Sequence, residues 1–102
     1  MSTPRYFAVR RTRGPAWDWS RPMREQVLWD AHAQFMNALA AEGLVVLGGP
    51  IGEGGEETLL VIDADSEPTV RARLAMDPWT HIGLLEIARV EPWTILLDRR
   101  AP

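Results

Sequence analysis

The sequence has no cysteine and no lysine among its 102 residues. The absence of cysteine excludes disulfide bonds, thiolate nucleophiles and thiolate metal ligands. All 11 basic residues are arginine, so Schiff-base lysine catalysis and the phosphate-binding lysine of a P-loop are excluded as well. The side chains that remain for general acid–base chemistry are mainly His32, His81, the carboxylates and the lone Tyr6.

The chain also lacks long apolar runs and an excess of basic residues. No apolar run approaches the roughly 18 residues that suggest a membrane span, and the N-terminus has no apolar core of signal-peptide length. We therefore expect a cytoplasmic protein that does not contact membranes. The net charge of −3 argues against nucleic-acid binding, which requires a strongly basic face. The length fits a single domain over residues 1–102.

Positive charge is concentrated at the N-terminal end, where residues 1–24 hold six arginines and a single acidic residue. The loop predicted at residues 12–22 also holds Trp17 and Trp19. We expect this pair to contact a small anionic or aromatic ligand. Plain packing of the tryptophans and a solvated arginine-rich loop are the alternatives.

The apolar pattern predicts secondary structure in the order β-α-β-β-α-β. Strands are predicted at 5–11, 44–48, 58–63 and 82–91, helices at 23–42 and 65–76, and a short fifth strand at 94–98. Gly49-Pro50 is expected to end the second strand, Asp77-Pro78 the second helix, and Pro92-Trp93 to interrupt the fourth strand. This order is typical of the ferredoxin-like α+β fold.

Two predicted strands are apolar at consecutive positions instead of alternating. The runs LVVL at 44–47 and TLLVI at 58–62 are therefore expected to be buried on both faces. Two helices cover only one face of a four-stranded sheet. The simplest cover for the other face is a second copy of the chain, so the sequence predicts a homodimer packed sheet against sheet.

Several common binding sites are not supported by the sequence. RNA-binding domains share this strand order but need exposed aromatic residues on central strands, and the third strand has none. The glycine-rich segment 48–57 joins two strands and lacks the lysine and following helix of a phosphate loop. Two histidines 49 residues apart, with scattered carboxylates, match no metal-ligand spacing.

His32 falls within the apolar stripe of the first predicted helix. A buried histidine must have its ring nitrogens hydrogen-bonded, or it loses roughly 1–3 kcal/mol through desolvation. A structural histidine bonded to a backbone carbonyl satisfies this requirement. So does a functional histidine held by a carboxylate at a pocket edge, for which Asp77 is one candidate among several.

The stretch from His32 to Gly49-Pro50 resembles the YciI-like (YCII-related) family. In that family a helix histidine precedes a glycine by 11 residues and a Gly-Pro pair by 17 and 18, as here. A second block, from Asp77-Pro78-Trp79 to Pro92-Trp93, is similar to the family's Asp-Pro-aromatic segment and Pro-aromatic strand ending. This chain has Trp29 where many relatives have an arginine.

The resemblance implies a dimeric ferredoxin-like α+β barrel. It also implies that the family's catalytic histidine and aspartate correspond to His32 and Asp77. We expect Gly49, Pro50 and Trp79 to contact the substrate beside them. One branch of the family resembles lyases that eliminate chloride from chlorinated hydroxyquinones.

Two hypotheses of different class follow. In the first, the protein is a small-molecule enzyme in which His32, oriented by Asp77, is the general acid or base of an elimination or isomerisation that needs no cofactor. In the second, the same pocket only holds a small ligand, and the protein is a binding or regulatory module. A cofactor-independent monooxygenase is a third alternative.

Overall fold

The computed structural model describes residues 4–100. Its elements, in chain order, are β1 (Tyr6–Arg13), a single 3-10 turn (Met23–Glu25), α1 (Trp29–Ala41), β2 (Val45–Ile51), β3 (Glu57–Asp63), α2 (Glu67–Leu74), α3 (Pro78–His81) and β4 (Leu85–Trp93). Within this described range, no helix has the length and apolar character needed to cross a membrane.

The four strands form one antiparallel sheet in the order β2-β3-β1-β4. The first and third strands are central, as in a ferredoxin-like fold, so the predicted fold class is confirmed. β1 alternates along its length, and Phe7 and Val9 face the helices. They form one core with Leu39 of α1 and with Val70 and Leu74 of α2. Each such buried side chain contributes about 1.5–3 kcal/mol, which fixes both helices on the same sheet face.

The main helix begins later than the sequence pattern predicts. Its first residue is Trp29 instead of residue 23. Leu28, just before it, has a φ of 61°, in the left-handed region that bulky residues avoid. The carbonyl of Val27 accepts a hydrogen bond from the Trp79 indole Nε1 at 2.7 Å. A tertiary contact therefore helps to set the start of α1. Residues 23–28, which the sequence predicts as part of this helix, lie outside it.

Both edge strands continue through prolines that the sequence pattern treats as breaks. β2 runs through Gly49-Pro50 to Ile51, and β4 includes Pro92-Trp93. An edge strand has one side without a partner strand, so a proline that lacks an N–H is tolerated there. Residues 94–98 form no regular structure, so the predicted fifth strand is wrong.

The turn after β1 packs backbone against backbone. The N–H of Gly14 donates to the carbonyl of Leu84 at 2.8 Å, and the N–H of Ala16 donates to the carbonyl of Gly83 at 3.0 Å. A Cβ at Gly14 would collide with the carbonyl oxygen of Gly83. This close approach sets Trp17 edge-on against the Trp79 ring, with 5.4 Å between the ring centroids.

We expect Gly14→Ala to lower the free energy of unfolding by about 1–3 kcal/mol, because the added methyl group can be accommodated only by a backbone shift. Gly49→Ala is the matched control, since a Cβ there meets nothing within 4 Å, and its effect should stay within about 0.5 kcal/mol. Urea unfolding of the two variants measures the difference. Equal stability of the two variants would show that the turn has room for a side chain.

Candidate active site

Asp77 is the centre of a buried polar cluster. Its side chain is fully buried, and it caps the N-terminus of α3, where Oδ1 accepts the Trp79 N–H at 2.9 Å. Pro78 follows as the first residue of α3, a position at which the missing N–H costs nothing. The Asp-Pro pair thus begins a helix, whereas the sequence pattern predicts only that it ends one.

Arg11 reaches the same carboxylate from the sheet. It follows Phe7 and Val9 in the alternation of β1 and therefore points towards the helices. Its Nη1 donates to Asp77 Oδ2 at 2.8 Å, and only 2% of its side chain is exposed. Its Nη2 contacts Met36 Sδ at 3.4 Å. This residue was not predicted from the sequence, although an arginine on the apolar face of a central strand was a usable signal.

His32 approaches Asp77 from α1. Its Nδ1 lies 2.9 Å from Oδ1 and 2.8 Å from Oδ2 of the carboxylate. The imidazole also stacks on the Trp79 indole, with ring centroids 3.9 Å apart and planes inclined by 5°. The structure therefore brings together three residues singled out in the sequence, and Arg11 completes the set.

The carboxyl group of Asp77 is ionised in spite of its burial. Burial alone would raise its pKa, but hydrogen bonds from His32, the Trp79 N–H and Arg11 outweigh burial and hold the pKa below the ordinary value of 3.8. An ionised carboxylate only accepts hydrogen bonds, so the proton between the two side chains belongs to Nδ1 of His32. Burial also lowers the pKa of Arg11, against the opposing hydrogen bond and charge of Asp77.

A cavity of about 440 Å³ lies beside this cluster, between α1 and the sheet. Its walls are mostly apolar, and His32 and Trp79 form part of them. Gly49 and Pro50 of β2, which the sequence predicts as substrate contacts, also line the cavity. Among residues 4–100, no three histidine, aspartate or glutamate side chains are grouped so as to hold a metal ion.

Trp17 and Trp19 do not line this cavity. Trp17 is buried beneath Trp79 by the turn at Gly14, so it supports a cavity wall from behind. Trp19 is 63% exposed. The expectation that this pair contacts a ligand in the described cavity therefore finds no support, because loop composition gives no information about the depth of each side chain.

The loop that carries these tryptophans is held by Gln26, which was not predicted from the sequence either. The side chain is buried, and its Nε2 donates to the carbonyls of Asp18 and Arg21 at 2.7 and 2.9 Å. Its Oε1 accepts the Asp18 N–H at 3.1 Å. Three hydrogen bonds thus tie Asp18 and Arg21 to one amide side chain, whose role no sequence pattern indicates.

We expect Asp77→Asn to lower the free energy of unfolding at neutral pH by about 3–5 kcal/mol, because it leaves the buried Arg11 without its counter-charge. Folding lowers the pKa of Asp77. The stability that its charge contributes is therefore complete above pH 3.8, the ordinary pKa of the group, and is lost as the pH falls through the lower pKa of the folded state. The difference between wild type and variant should therefore shrink in acid.

Urea unfolding from neutral pH to below 3.8 measures this difference. Asp65→Asn, at an exposed position, is the control and should change stability by less than about 1 kcal/mol at every pH. A loss for Asp77→Asn that does not vary with pH would show that charge is not the cause.

Known proteins that are similar to this chain indicate its fold and its family. No curated protein sequence matches the chain. Among solved structures, it is similar to 5-chloro-2-hydroxyhydroquinone dehydrochlorinase from Burkholderia phenoliruptrix AC1100, solved in complex with 2,5-dihydroxybenzoquinone. The two are 22% identical with a TM-score of 0.54, and the alignment covers 95% of this chain and 99% of that one. At this identity the similarity establishes the fold.

The model of the YCII-related domain matches residues 6–94, nearly the whole chain, and the protein therefore belongs to the YCII-related domain family.

Proposed function

We propose that the protein is a small-molecule enzyme in which His32 transfers a proton during an elimination that needs no cofactor. The observation that carries this proposal is the position of one imidazole between a buried carboxylate and an open cavity. Because Nδ1 carries the proton that Asp77 binds, the neutral ring has its lone pair on Nε2. No hydrogen bond described within residues 4–100 occupies Nε2, so it is free to act as the base.

The surroundings of His32 favour the charged ring that forms when the base takes a proton. Asp77 supplies a negative charge at Nδ1, and the face of Trp79 stacks on the imidazolium and attracts a cation. Both groups are fixed before the reaction by hydrogen bonds to Arg11 and to the Val27 carbonyl. Such preorganised groups stabilise developing charge without any rearrangement during the reaction.

The related dehydrochlorinase suggests which elimination to test, since its name describes the loss of hydrogen chloride from a chlorinated hydroxyhydroquinone. In such a reaction the substrate gives up a proton, which His32 would accept. Chloride leaves with the electron pair of the carbon–chlorine bond. No external oxidant or reductant is needed, and the apolar cavity walls would keep bulk water from the reacting ring.

We expect wild-type protein to release chloride from 5-chloro-2-hydroxyhydroquinone, and His32→Gln to lower kcat by roughly 10²–10⁴-fold, the usual contribution of a general base. His81→Gln is the matched control, because His81 is the other histidine of the chain and is exposed at the end of α3. Chloride release followed against an enzyme-free blank measures the rates.

Equal rates for His32→Gln and wild type would contradict the role of His32. If the wild-type protein binds 2,5-dihydroxybenzoquinone tightly but releases no chloride from the chlorinated compound, the enzymatic proposal fails for this substrate class. That result would favour the alternative of a ligand-binding or regulatory module.

We also propose that the protein is a homodimer that buries the sheet face opposite the helices. The pairing of Trp93 with Tyr6 places it on this face, and a register shift in β2 after Val45 brings Leu47 opposite Val61; the two side chains are 43% and 56% exposed. Val61 lies between such positions on β3, next to Leu47 in the register. A second copy packed against this face would remove Leu47 and Trp93 from water.

Sedimentation at micromolar concentration should therefore give twice the 11.5 kDa mass of the chain. Leu47→Asp should shift the protein towards monomer, because it places an unpaired charge in the interface. Met76→Asp is the control, since Met76 is 63% exposed but follows α2 on the helix side. A monomeric wild type, or equal dissociation of both variants, would contradict this interface.

A further inference from the structure

β1 directs two arginines, Arg11 and Arg13, towards the helix side of the sheet, and they differ in whether a carboxylate pairs with them. Arg11 pairs with the carboxylate of Asp77 at 2.8 Å. Arg13, two residues later, also lines the cavity, but none of the ion pairs formed by residues 4–100 includes it. The cavity therefore contains one guanidinium whose charge is matched and one whose charge is not.

Within residues 4–100, the close contacts of Arg13 are all with neutral groups. Its Nη2 donates to the carbonyl of Gly55 at 2.7 Å. Its guanidinium carbon lies 3.9 Å from the ring centroid of Trp17 and 5.7 Å from that of Trp19. These contacts orient the guanidinium, but a carbonyl and two indole rings bring no negative charge to it. Trp17 and Trp19 thus act on the cavity indirectly, by holding the arginine that lines it.

Partial burial makes this unbalanced charge unfavourable. Burial lowers the pKa of Arg13, and the only opposing effect is the more distant charge of Glu56. A guanidinium has five N–H donors, and the bond to Gly55 uses only one of its two terminal nitrogens. An anion in the cavity would supply both the missing charge and a stronger acceptor than a backbone carbonyl.

The remaining walls limit the shape and polarity of such an anion. Trp29, Met36 and Leu60 belong to an apolar lining that continues to the stacked His32 and Trp79 rings. Flat, apolar and aromatic walls favour a planar ring. A planar ring with one ionised oxygen therefore fits both the walls and the unmatched cation.

We propose that Arg13 determines substrate specificity, by binding an ionised enolic or phenolic oxygen of a planar ring in the cavity beside His32. This inference rests on the proposed function, because it names the substrate class of the same cavity. Arg13 would bind the anionic group, whereas Arg11 remains paired with Asp77.

The test compares two ligands of similar shape that differ in charge. The hydroxyls of 2,5-dihydroxybenzoquinone are vinylogous carboxylic acids and are ionised at neutral pH, whereas the dimethoxy derivative has no ionisable group. We expect wild-type protein to prefer the dihydroxy compound in isothermal titration calorimetry. Arg13→Gln should weaken binding of the dihydroxy compound by about tenfold or more, the usual value of a charge-assisted hydrogen bond, and should change binding of the dimethoxy compound by less than about twofold.

Two further variants separate charge from structural support. Arg13→Lys keeps the positive charge without the planar fork, so it should retain part of the preference for the dihydroxy compound. Arg71→Gln removes a charge from α2, away from the cavity lining, where Arg71 is 49% exposed beside Glu67. It should leave the affinities for both ligands unchanged.

The outcomes distinguish this inference from the proposed function. Equal weakening of both ligands by Arg13→Gln would overturn the inference, because it would show that Arg13 only supports the cavity walls. No preference of the wild type for the anionic ligand, or no binding of that ligand, would also overturn it. Selective binding without chloride release would uphold the role of Arg13 and count against the proposed elimination alone.

Discussion

The interaction on which the rest of the structure depends is the burial of one ionised carboxylate, Asp77. A buried charge is tolerated only when it is paired and hydrogen-bonded, and Asp77 obtains its partners from three elements. Arg11 comes from β1, His32 from α1, and the Trp79 N–H from the helix that Asp77 itself caps. Satisfying this charge therefore requires β1, α1 and α3 to meet at one point, which is also the wall of the cavity.

The Asp77 cluster serves mainly to orient side chains and contributes little net stability. A buried ion pair gains little over a well-packed apolar group of equal volume, because desolvation offsets much of the attraction. An apolar replacement for Asp77 and Arg11 would not orient an imidazole, however, or determine which ring nitrogen carries the proton. The Trp79 ring adds to this orientation by stacking on His32 while its indole N–H holds the segment before α1.

The order of the four strands and the two longer helices could be predicted from the sequence because it depends on apolar periodicity, which is a local property. The pairing of His32 with Asp77 came from the family resemblance, since the two are 45 residues apart in the chain. The start of α1 and the role of Arg11 are two of the features that escaped prediction for physical reasons. The start of α1 depends on a tertiary hydrogen bond to Trp79, and the contribution of Arg11 depends on a counter-charge that β1 alone does not reveal. Composition identified the Trp17 loop, but not which tryptophan is buried.

Arg11 and Arg13 lie at different depths. One strand therefore contributes one cation that is paired with a carboxylate and one whose charge is unmatched. Alternation gives both side chains the same direction, so the difference comes from what each one meets. The deeper guanidinium meets Asp77, and the resulting neutral pair cannot attract a ligand strongly. The shallower one meets a carbonyl and aromatic faces at the cavity wall, which orient it and leave its charge unmatched. In the proposed binding mode the second arginine attracts the anion, while the first maintains the carboxylate that orients His32.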